Sequence, residues 1–242
     1  MPTILLDLRL AGRCLRRAPG FTAIAAVSIA LGIGASVTIF GIVNAFFLRA
    51  LPVASPDELV AVYARTEAQP WRNLSYPDVE SLRAGARSLS GLTAFTVPGV
   101  RVSLRDEMAG PRAVPAAFVT QDYFDVLGLR PVRGRFFGAG DDSARGSSGV
   151  VIGERVWRDG YGADPSVIGR EVWLNRQPFR VIGIAPARFT GTFANLATDV
   201  WLPLERYNDV LGGPDSVARR DSRFLNAIGR VRPGASREAV YA

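Results

Sequence analysis

No charged residue occurs from Ala18 to Leu48, an interval bracketed by Arg17 and Arg49. At about 1.5 Å per helical residue, the 28 residues from Phe21 to Leu48 reach roughly 42 Å, more than the ~30 Å hydrocarbon layer of a bilayer. A core helix in a soluble domain of this size is rarely apolar on every face for that length. The run therefore predicts a membrane span. A cleaved export signal is the rival, since Arg16-Arg17 precede the run and Gly34-Ala35-Ser36 supply small residues. Signal cores are about 7–15 residues long, however, and this run continues through Val37-Thr38-Ile39-Phe40 to Phe46-Phe47-Leu48. Pro19-Gly20 also separates the arginine pair from the first large apolar residue.

The flanks set an orientation. Arg9, Arg13, Arg16 and Arg17 precede the run and Arg49 follows it, which predicts a cytoplasmic N-terminus and an extracytoplasmic remainder. Within the run, Ala26, Ala30, Gly34 and Thr38 recur every four residues, with Gly32 and Ser36 on an adjacent strip. Small residues along one face let a second helix approach closely in lipid, so this face is the expected packing surface. Its helical partners are not in this chain.

Before the run, "ILLDLRLAGRCLRRAPGF" (4–21) places Ile4, Leu8, Ala11 and Leu15 on one helical face. Arg9, Arg13 and Arg16 lie opposite, and Pro19-Gly20 is expected to break the helix. A basic amphipathic helix beside a span lies in the interfacial plane with arginines toward lipid headgroups. Two roles fit this stub: a topology signal alone, or a cytoplasmic elbow that also touches a partner.

Composition narrows the chemistry. The chain has 242 residues, no histidine, and a net charge of +7. All 29 basic residues are arginine. Without histidine there is no Ser-His-Asp triad and no His-ligated metal. Without lysine there is no P-loop lysine, Schiff base or Ser-Lys dyad. The only cysteine, Cys14, cannot form an intramolecular disulfide. Residues 1–49 hold five arginines against Asp7, whereas residues 50–242 hold 24 against 21 acids. The basic excess thus clusters beside the apolar run, which argues against nucleic-acid binding.

From Ala50 onward the texture is mixed and punctuated by Gly and Pro. Strands are predicted at "ELVAVYAR" (58–65), on both sides of the Pro98-Gly99 break in "GLTAFTVPGVRVSL" (91–104), and at "VVIG" (150–153), "DVWLPL" (199–204) and "FLNAIGRV" (224–231). "SYPDVESLRAG" (75–85) reads as a helix with Ser75 before its start, Pro77 in its first turn and Arg83 late. "AVPAAFVTQDYFDVLG" (113–128) reads as a strand then a short helix ending at Gly128, and "ERVWRDGYG" (154–162) as another helix. "REVWLNRQPFRVIGIAP" (170–186) alternates on both sides of Asn175-Arg176-Gln177, a hairpin signal. Short helices and strands without regular βαβ spacing predict an α+β fold. "PGASREAVYA" (233–242) suggests an N-cap at Ser236 and one helical turn, as though the polypeptide were truncated.

Two constellations invite a chemical reading. Asp141-Asp142 is the best carboxylate pair, but it lies in a Gly/Ser-rich loop without the spaced oxygens of a calcium site. Trp157, Trp173 and Trp201 with Tyr161 and Phe179 could line a ligand box, although at such spacing aromatics more often form core. No catalytic, cofactor-binding or metal-binding residue is assigned.

Taken in order, several stretches resemble the N-terminal part of ABC-transporter permeases with a MacB-type periplasmic core domain, of the FtsX-like, acidobacterial-type branch. They are "RRAPGFTAIAAVSIALGIGASVTIFGIVNAFFLRALP" (16–52), "LSYPDVESLRAGARSLSGLTAF" (74–95), "VTQDYFDVLGLRPVRGRFFGAGDD" (119–142), "ERVWRDGYGADPSVIGREVWLNRQPFRVIGIAP" (154–186) and "DVWLPL" (199–204). The resemblance implies a cytoplasmic basic helix (1–17), one transmembrane helix (18–48) and a periplasmic core domain (49–242) lacking its C-terminal part. That domain is expected to combine a porter-like part with an inserted smaller subdomain. The implied function is mechanotransmission: a separate cytoplasmic ABC ATPase moves the membrane helices, which rock the outer domain against cargo. The resemblance also implies a permease homodimer or pseudo-dimer in inner-membrane lipid, a periplasmic adaptor, no cofactor and no catalytic residue. The alternative class is a single-span anchored binding or sensor domain.

Overall fold

A computed structural model describes residues 16–43, 52–67, 69, 71–106, 110–138, 148–193 and 196–235, with side chains in the first segment described through residue 41. The chain divides into two compact units, Met1–Arg49 and Ala50–Ala242.

In the first unit, helix α1 spans Pro19–Val43 and carries no acid in its first turn and no base in its last. Pro19 is its first residue, a position where the missing N–H costs nothing. The expected break at Pro19-Gly20 therefore falls one residue earlier, at Ala18, which separates α1 from a helical turn at Arg16-Arg17. Phe21, Leu31, Val37 and Phe40 are all more than half exposed among the described residues. Helix α1 is the one helix among the described residues long and apolar enough to cross a membrane.

The second unit is α+β, as its sequence texture predicts. Its strands are β1 (Leu59–Val62), β2 (Leu89–Thr96), β3 (Val100–Arg105), β4 (Arg112–Val119), β5 (Arg133–Gly134), β6 (Ser148–Gly153), β7 (Glu171–Leu174), β8 (Gln177–Ala185), β9 (Val200–Pro203) and β10 (Leu225–Val231). Its helices are α2 (Tyr76–Gly85), α3 (Tyr123–Val126), α4 (Glu154–Tyr161) and α5 (Tyr207–Leu211).

Two sub-assemblies share β4. In one, β4 pairs with β3, β3 with β7, β7 with β8, β8 with β6, β6 with β9, and β9 returns to β4. These pairings close a ring, which removes exposed edges. In the other, β1, β10 and β2 form an antiparallel sheet that joins β4 through Phe95↔Val119. The strands on either side of Pro98-Gly99 do form, but they do not pair with each other. They follow one another along the same edge of β4.

Local chemistry explains several elements. Ser75 caps α2 with a reciprocal capping box: its hydroxyl accepts from Asp78 N–H, and the Asp78 carboxylate accepts from Ser75 N–H. The β7–β8 hairpin closes on Leu174↔Gln177, so its turn is only Asn175-Arg176, both at positive φ (46° and 69°). Gln177 already belongs to β8. Such a two-residue turn matches the right-handed strand twist. Helix α4 ends at Gly162, whose φ of 58° is left-handed.

The core has two parts. Val79 of α2, Ala94, Val102, Phe118, Ile152, Val172, Phe179 and Leu202 belong to the larger, and β10 contributes alternate residues to it. The smaller is aromatic: Phe124 stacks on Phe136 at 3.9 Å, and Phe189 stacks on Trp201 at 5.7 Å. The aromatics that could have lined one box are dispersed, as core residues are. Trp201 lies in the smaller core, Trp157, Tyr161 and Phe179 in the larger, and Trp173 is half-buried.

Candidate functional site

The second unit is anchored at a linker corner built by three elements. A 3-10 turn, Pro56–Glu58, starts after Ser55, which adopts a left-handed conformation (φ 44°). Just before it, Ala54 N–H donates to Leu127 O at 3.1 Å. Arg230 on β10 then fills the corner. Its Nε donates to Val126 O, its Nη1 to Glu58 Oε2 and its Nη2 to Ala54 O, each at 2.8 Å. The Arg230 side chain is 17% exposed and Glu58 47%, so the guanidinium is held in a half-buried corner, with its bond to Val126 the more shielded. Gly128 closes the corner: its φ is +66°, and an added Cβ would lie 2.5 Å from the Ala54 Cβ. The fork geometry suits arginine, which can bond three acceptors in one plane.

At the other end of the sheet, Asp78 receives Arg220 at 2.7 Å and Arg223 at 2.6 Å besides capping α2. Burial pushes the Asp78 carboxyl up, but its hydrogen bonds with Ser75 and the two guanidiniums outweigh this and hold it below its ordinary value. Arg83, late in α2, pairs with Glu80 and with Asp122 and donates to Leu92 O, tying α2 to β2 and α3. Tyr161 lies under the Arg112 and Arg170 guanidiniums, and its hydroxyl is raised to about 12 by burial and by nearby Asp106. An open groove of about 1360 Å³ runs along the ring between Ser103, Trp173, Arg176 and Leu211. Among the described residues no three Asp, Glu or Cys side chains gather as metal ligands would.

The residues singled out in the sequence fall as follows. Ala26, Ala30, Gly34 and Thr38 all lie on α1 and are exposed. The Thr38 hydroxyl turns back to donate to Gly34 O at 2.8 Å, and nothing lies within 4 Å of a Cβ placed on Gly34. Arg16 and Arg17 are exposed. Arg9, Arg13 and the rest of the stub before residue 16 lie outside the described residues, as do Asp141-Asp142 and the turn from Ser236. Arg230 and Gly128 were not singled out. Gly128 read only as a helix stop, and nothing local to Arg230 shows that three acceptors converge on it.

The architecture is that of extracytoplasmic domains from ABC-type permeases. The periplasmic region of MacB from Actinobacillus actinomycetemcomitans superposes with a TM-score of 0.53 at 19% identity, covering 76% of this chain and 77% of that one. The extracellular domain of the noncanonic ABC-type transporter YknZ from Gram-positive bacteria gives 0.54 at 16% identity, covering 75% and 88%. A domain of a putative permease from Porphyromonas gingivalis gives 0.57 at 16% identity, covering 76% and 79%. The chain belongs to the MacB-like periplasmic core domain family, whose profile matches residues 22–242. Curated relatives include macrolide export ATP-binding/permease proteins MacB. That of Paracoccus denitrificans is 34% identical over 110 residues, covering 46% of this chain and 16% of its own length. MacB 1 of Aeromonas hydrophila is 27% identical over 186 residues, covering 76% and 27%. This chain thus spans about a quarter or less of those relatives.

Proposed function

We propose that this chain is the N-terminal portion of an ABC-transporter permease. One membrane helix would lead into an extracytoplasmic domain that relays ATP-driven motion to cargo. The observation that carries this reading is the family match, which runs from within α1 through the outer unit. The MacB relatives are described as both ATP-binding and permease proteins. Here ATP hydrolysis is assigned to a cytoplasmic ABC ATPase, because no lysine is present to cradle nucleotide phosphates.

In this reading residues 1–17 lie on the cytoplasmic face, with Arg9, Arg13, Arg16 and Arg17 toward headgroups, and residues 18–48 cross the inner membrane. The small-residue face Ala26, Ala30, Gly34 and Thr38 packs against further membrane helices, and residues 49–242 stand outside. Two permeases pair as a dimer or pseudo-dimer beside a periplasmic adaptor. The linker corner gives the relay a physical basis. Displacement of the segment leading to Ala54 is resisted at once by β10, α3 and the Pro56–Glu58 turn through Arg230.

Reporter fusions test the arrangement. Alkaline phosphatase joined after Gly110 is expected to be active and a cytoplasmic reporter at the same point inactive. Co-expression with an ABC ATPase from the same genome should give a complex that survives detergent extraction. The reverse reporter pattern, or a free soluble product starting near Ala35, overturns the reading.

A further inference from the structure

Described residues between Tyr63 and Arg72 pair as a small hairpin that none of the preceding roles uses. Ala64 exchanges both backbone bonds with Arg72 at 2.9 and 3.0 Å, and Thr66 exchanges both with Gln69 at 3.0 and 3.2 Å. The Thr66 hydroxyl reinforces that turn by accepting from Gln69 N–H at 3.1 Å. This fixed support presents an aromatic pair: Tyr63 and Trp71 meet edge to face, with centroids 5.5 Å apart. Trp71 is nonetheless 76% exposed and Tyr63 42%. Arg65 and Arg72 flank the pair, and neither side chain has a hydrogen bond or ion pair among the described residues. The same end of the sheet, joined through the Leu74↔Leu225 bridge, holds Arg220 and Arg223, which share the single carboxylate of Asp78. Arg219 beside them pairs with Asp221, so this corner carries five arginines, Arg65, Arg72, Arg219, Arg220 and Arg223, against three acids, Glu67, Asp78 and Asp221.

Preordered Trp and Tyr beside unpaired Arg is the composition of a binding hot spot. The charge excess selects an acidic counterpart. A third feature specifies a polypeptide. Among the described residues β1 is an edge strand, paired with β10 alone. Because Ala64 turns its N–H and C=O inward to Arg72, alternation along the strand turns those of Ala61 and Tyr63 outward. Outward donors and acceptors in strand register match another extended backbone, and lipid headgroups supply no such ladder.

We infer that this corner docks an acidic, extended segment of a partner protein, laid along the outer edge of β1 with Trp71 and Tyr63 as its anchors and Arg65 and Arg72 as its charge partners. The inference stands whether or not the chain works in transport.

The test uses the full chain in nanodiscs of neutral lipid and, as probe, a synthetic peptide of alternating Glu and Val. Trp71 emission is read as the difference between the native protein and Trp71→Phe. Saturable binding with a blue shift that weakens as salt rises is expected. The Arg65→Glu/Arg72→Glu variant should bind roughly tenfold or more weakly and accept the alternating Lys-Val peptide instead. Circular dichroism of that variant confirms that it is folded. No saturable binding, or equal binding of both peptides by the native protein, overturns the proposal. So does a blue shift produced by phosphatidylglycerol nanodiscs without peptide, which makes the corner a lipid contact.

Discussion

Arg230 Nη2 donates to the carbonyl of Ala54 across 2.8 Å, joining residues 176 positions apart. The bond holds the first part of the outer unit to β10, the last strand described. Replacing Arg230 by Met leaves the Ala54 and Val126 carbonyls without this donor and Glu58 without its ion pair. A loss of about 2–3 kcal/mol in urea denaturation is expected. Lysine at this position recovers only part, since a point charge cannot serve three separated acceptors. Gly128→Ala is expected to cost about 1–3 kcal/mol, from its left-handed φ and the clash with Ala54. The two changes act on one corner, so their double mutant should depart from additivity by at least ~0.5 kcal/mol.

Acid sensitivity follows from carboxylates alone, since the chain has no histidine. Hydrogen bonds with Ser75 and the Arg223 and Arg220 guanidiniums outweigh burial and hold Asp78 low. Arg158 and the Ala187 N–H hold Glu154 low. A carboxyl with a depressed folded pKa stabilises fully above its unfolded value of about 4, and that contribution disappears as pH falls through the folded value. The melting temperature should therefore be flat from about pH 5 to 8 and fall below about pH 4. Asp78→Asn should lower the plateau and shrink the acid slope, as thermal scans between pH 2 and 7 will show. An unchanged slope in the variant sinks the assignment.

What the sequence made legible was local. Ser75 before α2, the Asn175-Arg176 part of the hairpin signal, and glycine at 128 and 162 each act within a few residues and fall at element ends. The Asp78 half of the cap and the strand position of Gln177 came from the structure. The long-range pairings had no such signal. β5 is two residues held by β8, and the ring closes through a parallel β4–β9 contact. The Tyr63–Arg72 hairpin contains none of the usual turn dipeptides. Periodicity showed that Trp157, Phe179 and Trp201 are buried but not which side of the sheet each faces. That depends on strand order: Trp157, Tyr161 and Phe179 lie in the larger core and Trp201 in the smaller. The triple contact at Arg230 is invisible for the same reason.

The β7–β8 turn can be tuned in both directions. Arg176 sits at φ 69°, a conformation that glycine adopts without penalty, so Arg176→Gly is expected to be neutral or to stabilise by up to ~1 kcal/mol. Asn175 does more than turn. Its Oδ1 accepts from Ser103 N–H at 2.8 Å and its Nδ2 donates to Val210 O at 3.1 Å, linking the turn to β3 and α5. Asn175→Ala should therefore cost about 1–3 kcal/mol. Equal, small effects from the two substitutions would show that the side-chain bonds contribute nothing.

Gly183 marks where the ring tolerates no side chain. A Cβ there would lie 2.0 Å from the Arg135 carbonyl oxygen, a backbone atom that cannot rotate away. The β6–β8 register shifts at this point, with Val150 opposite Val181 and Val151 opposite Gly183. Gly183→Ala is expected to lose more than ~3 kcal/mol or to yield insoluble protein. Gly138→Ala, where a Cβ meets nothing within 4 Å, is the matched control and should be unaffected.

The apolar helix α1 gives the last test, because its small face has an internal control. A leucine at Gly34 would fill the open strip between Ala30 and Thr38, whereas a leucine at Val37 exchanges one large exposed residue for another. If the small face packs against further helices, Gly34→Leu should cut recovery of the chain with its membrane partners by roughly tenfold, and Val37→Leu should change it little. Both variants leave the outer unit untouched, so alkaline phosphatase fused after Gly110 should stay active in each. Equal recovery of the two variants shows that the Ala26–Thr38 face meets lipid rather than protein.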